Sequence, residues 1–451
     1  MKSIKRTQRI ITLFLLLFIA GMAALVIKIQ REAPFYMMNS DKHELGMVYD
    51  RTGEVIFDGS GKTQFADGAL IDLGNLIGDD KGQMTNTLVA QNIDKLNNYS
   101  FNAGLVREGG KAAIYTTIDH YANRAVYNAY MGAKGCAVAY NYKTGEILVC
   151  TSLPNIDVTK GYDGIADLES GTLISKALYG TVPGSTQKVS TVISALEIMG
   201  PDKLFAKSYN CSGHYTNRTG GVIDCHNTYG HGDQNIQQAV ENSCNPFFAQ
   251  LVSDPDMPLS SIEKVYTKLG YAVNGAKEQY IDIDGIQCEK ASTTLVDPDD
   301  FNTQWACIGQ GETLVSPMQL MMWQSAIANG TGKMTMPHLI DRVTDVYGDV
   351  SELSKTSYSK QLFSEETAST MRQILLTNGA NHYTGSIPGF TLGIKSGTAQ
   401  VKEGAEDNSL LVGFVDDPRH PIAFCVLLEN RYSTPVTSEQ IVSTMLNAIC
   451  N

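Results

Sequence analysis

The 451-residue sequence has no internal repeat, no low-complexity tract and only two tryptophans. The absence of a repeat period sets solenoids and arrays aside. Residues 1–31 contain no acid, and Ile10 to Ile27 contain no charged residue. Beyond residue 31 a basic surplus is missing. Six of the 35 Lys/Arg residues lie in that first stretch, leaving 29 against 47 Asp/Glu in the remainder. The body is therefore strongly acidic inside an overall charge of −12. That balance argues against a phosphate-backbone partner, so no nucleic acid is expected. What is present is a chain long enough for two or three domains, 43% hydrophobic, with a substantial core.

Eighteen uncharged residues in a helix span about 27 Å, near the thickness of a hydrocarbon core. Four cationic residues precede the stretch and two follow it, which keeps the N-terminus in the cytoplasm. A cleaved signal would have a shorter apolar region ending in a small-x-small site, of which Ala20 to Ala24 is a poor version. The expectation is a cytoplasmic tail (1–9), an uncleaved single-pass membrane anchor (10–31) and an extracytoplasmic body. Nine cysteines is an odd number. By composition Cys211 and Cys225, in a Gly/Asn/Thr-rich loop, are the best possible disulfide. Cys136 and Cys150 flank a hairpin turn and could face each other. Cys244, Cys288, Cys307, Cys425 and Cys450 read as small buried hydrophobes.

Residues 32–110 read as a small, polar, turn-rich spacer or docking module, with two short strands around Asp50-Arg51-Thr52-Gly53. From residue 111 the texture changes. Asp119 caps a helix running to about Met131. Gly135–Tyr140 and Glu146–Thr151 are strands joined by a Gly-containing hairpin. Ser316-Pro317 opens a helix ending at Asn329-Gly330. The apolar runs Leu392–Ala399, Leu410–Val415 and Ile422–Leu428 are strands, and Ser438–Ile449 is a closing helix. Strands from both ends of this region with helices between them predict an α+β domain over 111–451.

Three polar triplets carry chemistry. Ser185 and Lys188 lie three apart after the Pro183-Gly184 turn, and Val189, Val192, Ile193 and Leu196 continue at helical spacing. That puts a hydroxyl and an amine on one face of a helix N-terminus, where free N–H groups and a partial positive charge favour nucleophilic attack. Ser243-Cys244-Asn245 follows the helical pattern Ile236–Glu241. Lys395-Ser396-Gly397-Thr398 follows the apolar run Leu392–Ile394. Each alone is weak, but the order and contexts together are specific.

On these motifs, with Tyr140 to Leu148, Ile308-Gly309-Gln310-Gly311 and Val315 to Gln319, the chain from about Lys111 onward resembles the class B penicillin-binding proteins. The resemblance implies an antiparallel sheet flanked by helices, a helical subdomain and D,D-transpeptidation of peptidoglycan stem peptides ending in D-Ala–D-Ala. It implies Ser185 as the acylated nucleophile, Lys188 as its base and Ser243 as a proton relay. Asn245, Lys395, Ser396, Gly397 and Thr398 would hold substrate, and the backbone N–H groups of Ser185 and Thr398 would form the oxyanion site. β-Lactams would inhibit, and a membrane glycan polymerase would be the partner. The alternatives are a D,D-carboxypeptidase and a non-catalytic scaffold or sensor. No Glu-x-x-Leu-Asn pattern appears between the second and third motifs, as a class A β-lactamase would require. No cofactor is expected. Cys211, His214, Cys225, His226 and His231 lie close together, but their spacing matches no closed ligand set, so no metal site is expected. Trp305 and Trp323 read as core, and His120 as a surface residue at a helix start.

Overall fold

The structure is a computed structural model that describes residues 2–38, 45–61, 71–100, 104–106, 109–162, 164–277, 279–402 and 406–450. A long helix, Lys2–Met38, leads the chain. Its segment Ile4–Ile29 has a mean hydropathy of 2.9 and buries none of its surface against the protein. A helix of that length and hydropathy is long and apolar enough to cross a membrane and fits a membrane anchor.

The core is a five-stranded antiparallel sheet of β1 (Gly135–Asn141), β2 (Ile147–Leu153), β3 (Leu392–Lys402), β4 (Glu406–Val415) and β5 (Ile422–Leu428), in the order β3-β4-β5-β1-β2. β5 pairs with β1 from Ile422 opposite Asn141 to Leu428 opposite Gly135. The apolar runs lack alternation because both faces are covered. Ala423, Cys425 and Leu427 point into one cluster, while Ile422, Phe424, Val426 and Leu428 point into the other. Helices His120–Ala129 and Ser438–Cys450 cover the second face. Helices Lys188–Met199, Pro317–Ala328 and Glu365–His382 cover the first. The caps read from the sequence form: Asp119 accepts from the Ala122 N–H and Ser316 from the Gln319 N–H.

A second five-stranded sheet runs Val350–Leu353, Ile340–Thr344, Ala113–Thr116, Met47–Tyr49 and Val55–Asp58. Met47–Tyr49 pairs in parallel with Ala113–Tyr115. Residues on both sides of position 110 therefore share one sheet. His120 opens the helix His120–Ala129, as its helix-start reading has it, but is only 8% exposed and not a surface residue, with Nε2 3.6 Å from the buried Asp72 carboxylate. The difference comes from residues 72–77, whose fold back onto this helix the local sequence does not encode. Cys136 and Cys150 are both free and pair with Ser152 and Val138 instead of with each other.

Trp323 is 1% exposed, stacks on Tyr271 at 5.2 Å and donates from Nε1 to the Leu269 carbonyl at 3.0 Å. Truncating it opens a cavity and removes one of the two donors to that carbonyl, leaving Gln319 Nε2 at 3.1 Å. Trp323→Ala is expected to cost about 3–5 kcal/mol, read as a lower denaturation midpoint at unchanged m-value.

Candidate active site

Gly184 sits at φ +54°, and a Cβ there would lie 2.5 Å from the Thr398 carbonyl oxygen. Only glycine fits so close an approach. The chain then makes a 3-10 turn, Gly184–Gln187, before the α-helix begins at Lys188. The sequence predicts a plain helix start. The tighter turn eclipses residues three apart, which brings the Lys188 Nζ to 2.8 Å from the Ser185 Oγ. The turn is braced from beneath: Tyr271 donates to the Gln187 Oε1 at 2.6 Å, and Gln187 Nε2 donates to the Tyr266 hydroxyl at 3.1 Å.

Ser243 joins two helices, Ile236–Glu241 and Asn245–Val252, at φ +48°. A side chain held in that left-handed region costs on the order of 1–2 kcal/mol, and here the kink turns Ser243 and Asn245 toward Lys188. Lys188 Nζ lies 2.7 Å from the Ser243 carbonyl, 2.7 Å from Asn245 Oδ1 and 3.2 Å from Ser243 Oγ. The third triplet lies on β3. Lys395 Nζ is 3.1 Å from Ser243 Oγ and 2.8 Å from the Ser396 carbonyl. Gly397 is also fixed by space, since a Cβ there would meet the Pro183 carbonyl at 2.8 Å. All three motifs thus converge, with Ser243 Oγ bridging the two lysines.

Both amines are 1% exposed, and their hydrogen-bond partners are neutral oxygens. Burial, and then the Lys395 charge, hold Lys188 well below the ordinary lysine value. Burial brings Lys395 down to about 7. The geometry suits a neutral Lys188. Two carbonyl oxygens at 2.7 Å take its two N–H groups, and its lone pair is left for the Ser185 hydroxyl proton.

These residues open onto a cleft of about 670 Å³. Ser185, Ser243, Asn245, Ser396 and Thr398 line it, together with Trp305, Gln310, Gln400, Asp407, Arg431 and Tyr432. Trp305, expected in the core, is half-buried and faces the cleft. Its helix, Phe301–Ile308, borders the site and does not pass beneath it. Gln310 Nε2 donates to the Thr398 carbonyl at 3.2 Å and Arg431 to the Thr398 Oγ1 at 2.8 Å. In the sequence Gln310 stands only within the stretch Ile308 to Gly311, and Arg431 carries no motif, its one signal being a lone cation just past the last strand.

Cys211 and Cys225, the possible disulfide, are both free thiols. Nor are they alone. Cys211, Cys225, His231 and Cys244 bring one donor atom each to within 4.8 Å of one another, where no metal-binding set was expected. Spacing within the loop hid it, because the fourth member comes from the second catalytic triplet. Cys244 is buried as expected, but among donors.

Residues 135–447 match the penicillin binding protein transpeptidase domain. The chain belongs to the penicillin-binding protein transpeptidase family, in its class B branch. It is 30% identical over 303 residues to stage V sporulation protein D of Bacillus subtilis, covering 62% of this chain and 43% of that protein. It is 25% identical over 346 residues to the peptidoglycan D,D-transpeptidase MrdA of Acinetobacter baumannii, covering 70% and 51%. The chain thus spans about half the length of the curated relatives it matches. In fold it is similar to penicillin-binding protein A of Mycobacterium tuberculosis, solved as a ceftriaxone acyl-enzyme (TM-score 0.78, 17% identity, 91% and 99% covered). It is also similar to the D,D-transpeptidase domain of a peptidoglycan glycosyltransferase from Eggerthella lenta (TM-score 0.74, 21% identity, 90% and 98% covered).

The paired lysines generate a pH prediction. A base with a depressed pKa is competent above that pKa and lost as pH falls through it. Lys395→Met removes the neighbouring charge, so the Lys188 pKa rises and the acidic limb of the Ser185 acylation profile moves to higher pH. Lys395→Arg keeps the charge and leaves the limb in place. Penicillin acylation rates measured from pH 5 to 10 read both, and an unmoved limb in Lys395→Met refutes the coupling.

Proposed function

We propose that this chain is a serine D,D-transpeptidase that cross-links peptidoglycan stem peptides. The observation that supports it is the continuous hydrogen-bond path from Ser185 Oγ through Lys188 Nζ and Ser243 Oγ to Lys395 Nζ beside an open cleft. Ser185 Oγ attacks the carbonyl carbon of the penultimate D-alanine as its proton passes to Lys188. Backbone N–H groups of Ser185 and Thr398 receive the developing oxyanion. Ser243 returns the proton to the nitrogen of the departing D-alanine, and the acyl group stays on Ser185 as an ester. An amine of a second stem peptide attacks the ester carbonyl, Lys188 takes the amine proton, and as the bond to Ser185 Oγ breaks that proton passes to the leaving serine oxygen, so the cross-linked amide departs and the free hydroxyl is restored.

The substrate's extended end lies along the free edge of β3, where Gly397 leaves room and Asn245 holds the peptide backbone. Lys395, Ser396 and Thr398 meet its terminal carboxylate. β-Lactams, whose ring amide mimics the scissile bond, stop at the ester. The N-terminal helix anchors the enzyme in the cytoplasmic membrane with its basic end inside. The catalytic body works outside beside a membrane glycan polymerase.

Fluorescent penicillin should label the wild type and leave Ser185→Ala blank. Lys188→Met should slow labelling by about 10²–10⁴-fold, the usual worth of a positioned base. An unlabelled wild type, or labelling that survives in Ser185→Ala, would refute the acyl-enzyme. Incubation of the full chain with a D-Ala–D-Ala pentapeptide and an amine acceptor then separates the outcomes. Cross-linked product is expected, whereas exclusive release of tetrapeptide marks a D,D-carboxypeptidase.

A further inference from the structure

Two consecutive residues outside the three triplets touch both halves of the site. The helix Phe301–Ile308 ends at Gly309, which sits at φ +99°. The Gly309 N–H donates to the Ala306 carbonyl at 3.0 Å and the Gln310 N–H to the Trp305 carbonyl at 3.0 Å, a glycine-closed helix end. That end is tied to the helix that carries Lys188, because Thr191 Oγ1 donates to the Cys307 carbonyl at 2.6 Å. Gly309 presses on the serine turn. A Cβ there would lie 1.9 Å from the Gly184 carbonyl oxygen and 2.5 Å from the Gln187 Cβ, an approach open only to glycine. Gln310, the next residue, crosses to β3 and donates from Nε2 to the Thr398 carbonyl at 3.2 Å. A carbonyl can only accept, so the nitrogen end of the carboxamide faces it.

We propose that Gln310 is a positioning residue that sets the separation between the Ser185 turn and the Thr398 strand, and so between the two backbone N–H donors of the oxyanion site, a role that rests on the acyl-enzyme reading above. β3 is the outermost strand of its sheet. β4 holds it on one side, where Thr398 stands opposite Ser409. An edge strand leaves backbone groups unpaired on the other. There the Thr398 carbonyl meets Gly184, whose Cβ would lie 2.5 Å from it, and the Gln310 carboxamide. The Gly184 contact is a stop, which keeps strand and turn from closing further. The Gln310 hydrogen bond is the attraction that keeps them from parting. Gln310 lines the cleft yet is only 7% exposed, so little water can replace its donor once it is removed. Arg431 holds the Thr398 Oγ1, but a side-chain hydroxyl turns on its own bond and does not fix the peptide. Donors aimed at a developing oxyanion act over a few tenths of an ångström, and a misplacement of about 1 Å can cost about 10²-fold in rate.

The test separates binding from chemistry. Penicillin acylation of the full chain in detergent, followed by stopped flow, gives the affinity of the first complex and the rate constant of ester formation. Gln310→Met keeps the bulk of the side chain and removes the donor. It should slow ester formation by about 10–100-fold and leave the affinity unchanged. Gln310→Glu gives a signature that packing alone does not. Its carboxyl group donates to the Thr398 carbonyl while protonated, and once ionised sets one acceptor against another. Its rate relative to the wild type should therefore be near wild type at low pH and fall as pH rises through the carboxyl pKa, which burial lifts. Lys188, Lys395 and the charged or titratable groups of the cleft wall, Asp224, Cys225, His226, Asp407 and Arg431, are present in both proteins and enter the ratio equally. Where Gln310→Met does not fold, the pH dependence of Gln310→Glu decides alone. Wild-type ester formation in Gln310→Met, a loss confined to affinity, or a Gln310→Glu ratio independent of pH would overturn the role. A wild type that takes no penicillin at all would overturn the acyl-enzyme and the role with it, so the two failures read apart.

Discussion

Two lysine amines buried around one serine hydroxyl cannot both remain charged at little cost. In water each would keep its proton past pH 10. Here burial alone disfavours both cations, and each charge disfavours the other. Lys188 is surrounded by carbonyl oxygens and, among the described residues, meets no carboxylate, so no ion pair holds its charge. A carboxylate in the place of Asn245 Oδ1 would stabilise the pocket and silence the serine. Much of the surrounding structure serves to keep this arrangement dry and in place. The tyrosines beneath Gln187, the left-handed turn at Ser243 and the close contact of Gly184 with Thr398 are its supports.

Three motifs separated by 58 and 152 residues meet because the sheet is assembled from both ends of the domain. β3 brings Lys395, and the helix packed on the first face of the sheet brings Ser185 and Lys188. The helical subdomain brings Ser243. Steric exclusion sets their distances as much as attraction does. Glycine at 184 and 397 lets two backbones touch where any side chain would separate nucleophile and strand.

The sequence made the three polar triplets, the five core strands and the caps at Asp119 and Ser316 legible, because each is written in contiguous residues whose chemistry or period is local. What stayed hidden depends on distant neighbours. The pairing of Met47–Tyr49 with Ala113–Tyr115 is parallel and non-local, and nothing within either stretch announces it. Trp305 carries an apolar signature that cannot distinguish a core from the wall of a cleft. Arg431 sits in a short turn with no motif around it. Cys244 was assigned to the core on burial statistics, and its burial is real. Its companions come from a loop 13 to 33 residues upstream, and no ligand spacing within that loop announces them.

The order of strands has a bearing on biogenesis. β5, at the centre of the sheet, is encoded by residues 422–428, almost at the end of the chain. β1, its neighbour, lies nearly 300 residues earlier. During synthesis, β1, β2 and the serine-bearing helix emerge with one whole side of their sheet absent. β1 and β2 pair with each other, but the edge of β1 that meets β5 stays open until residues 422–428 have been made. Such long-range closure is slow and leaves an exposed edge while it waits.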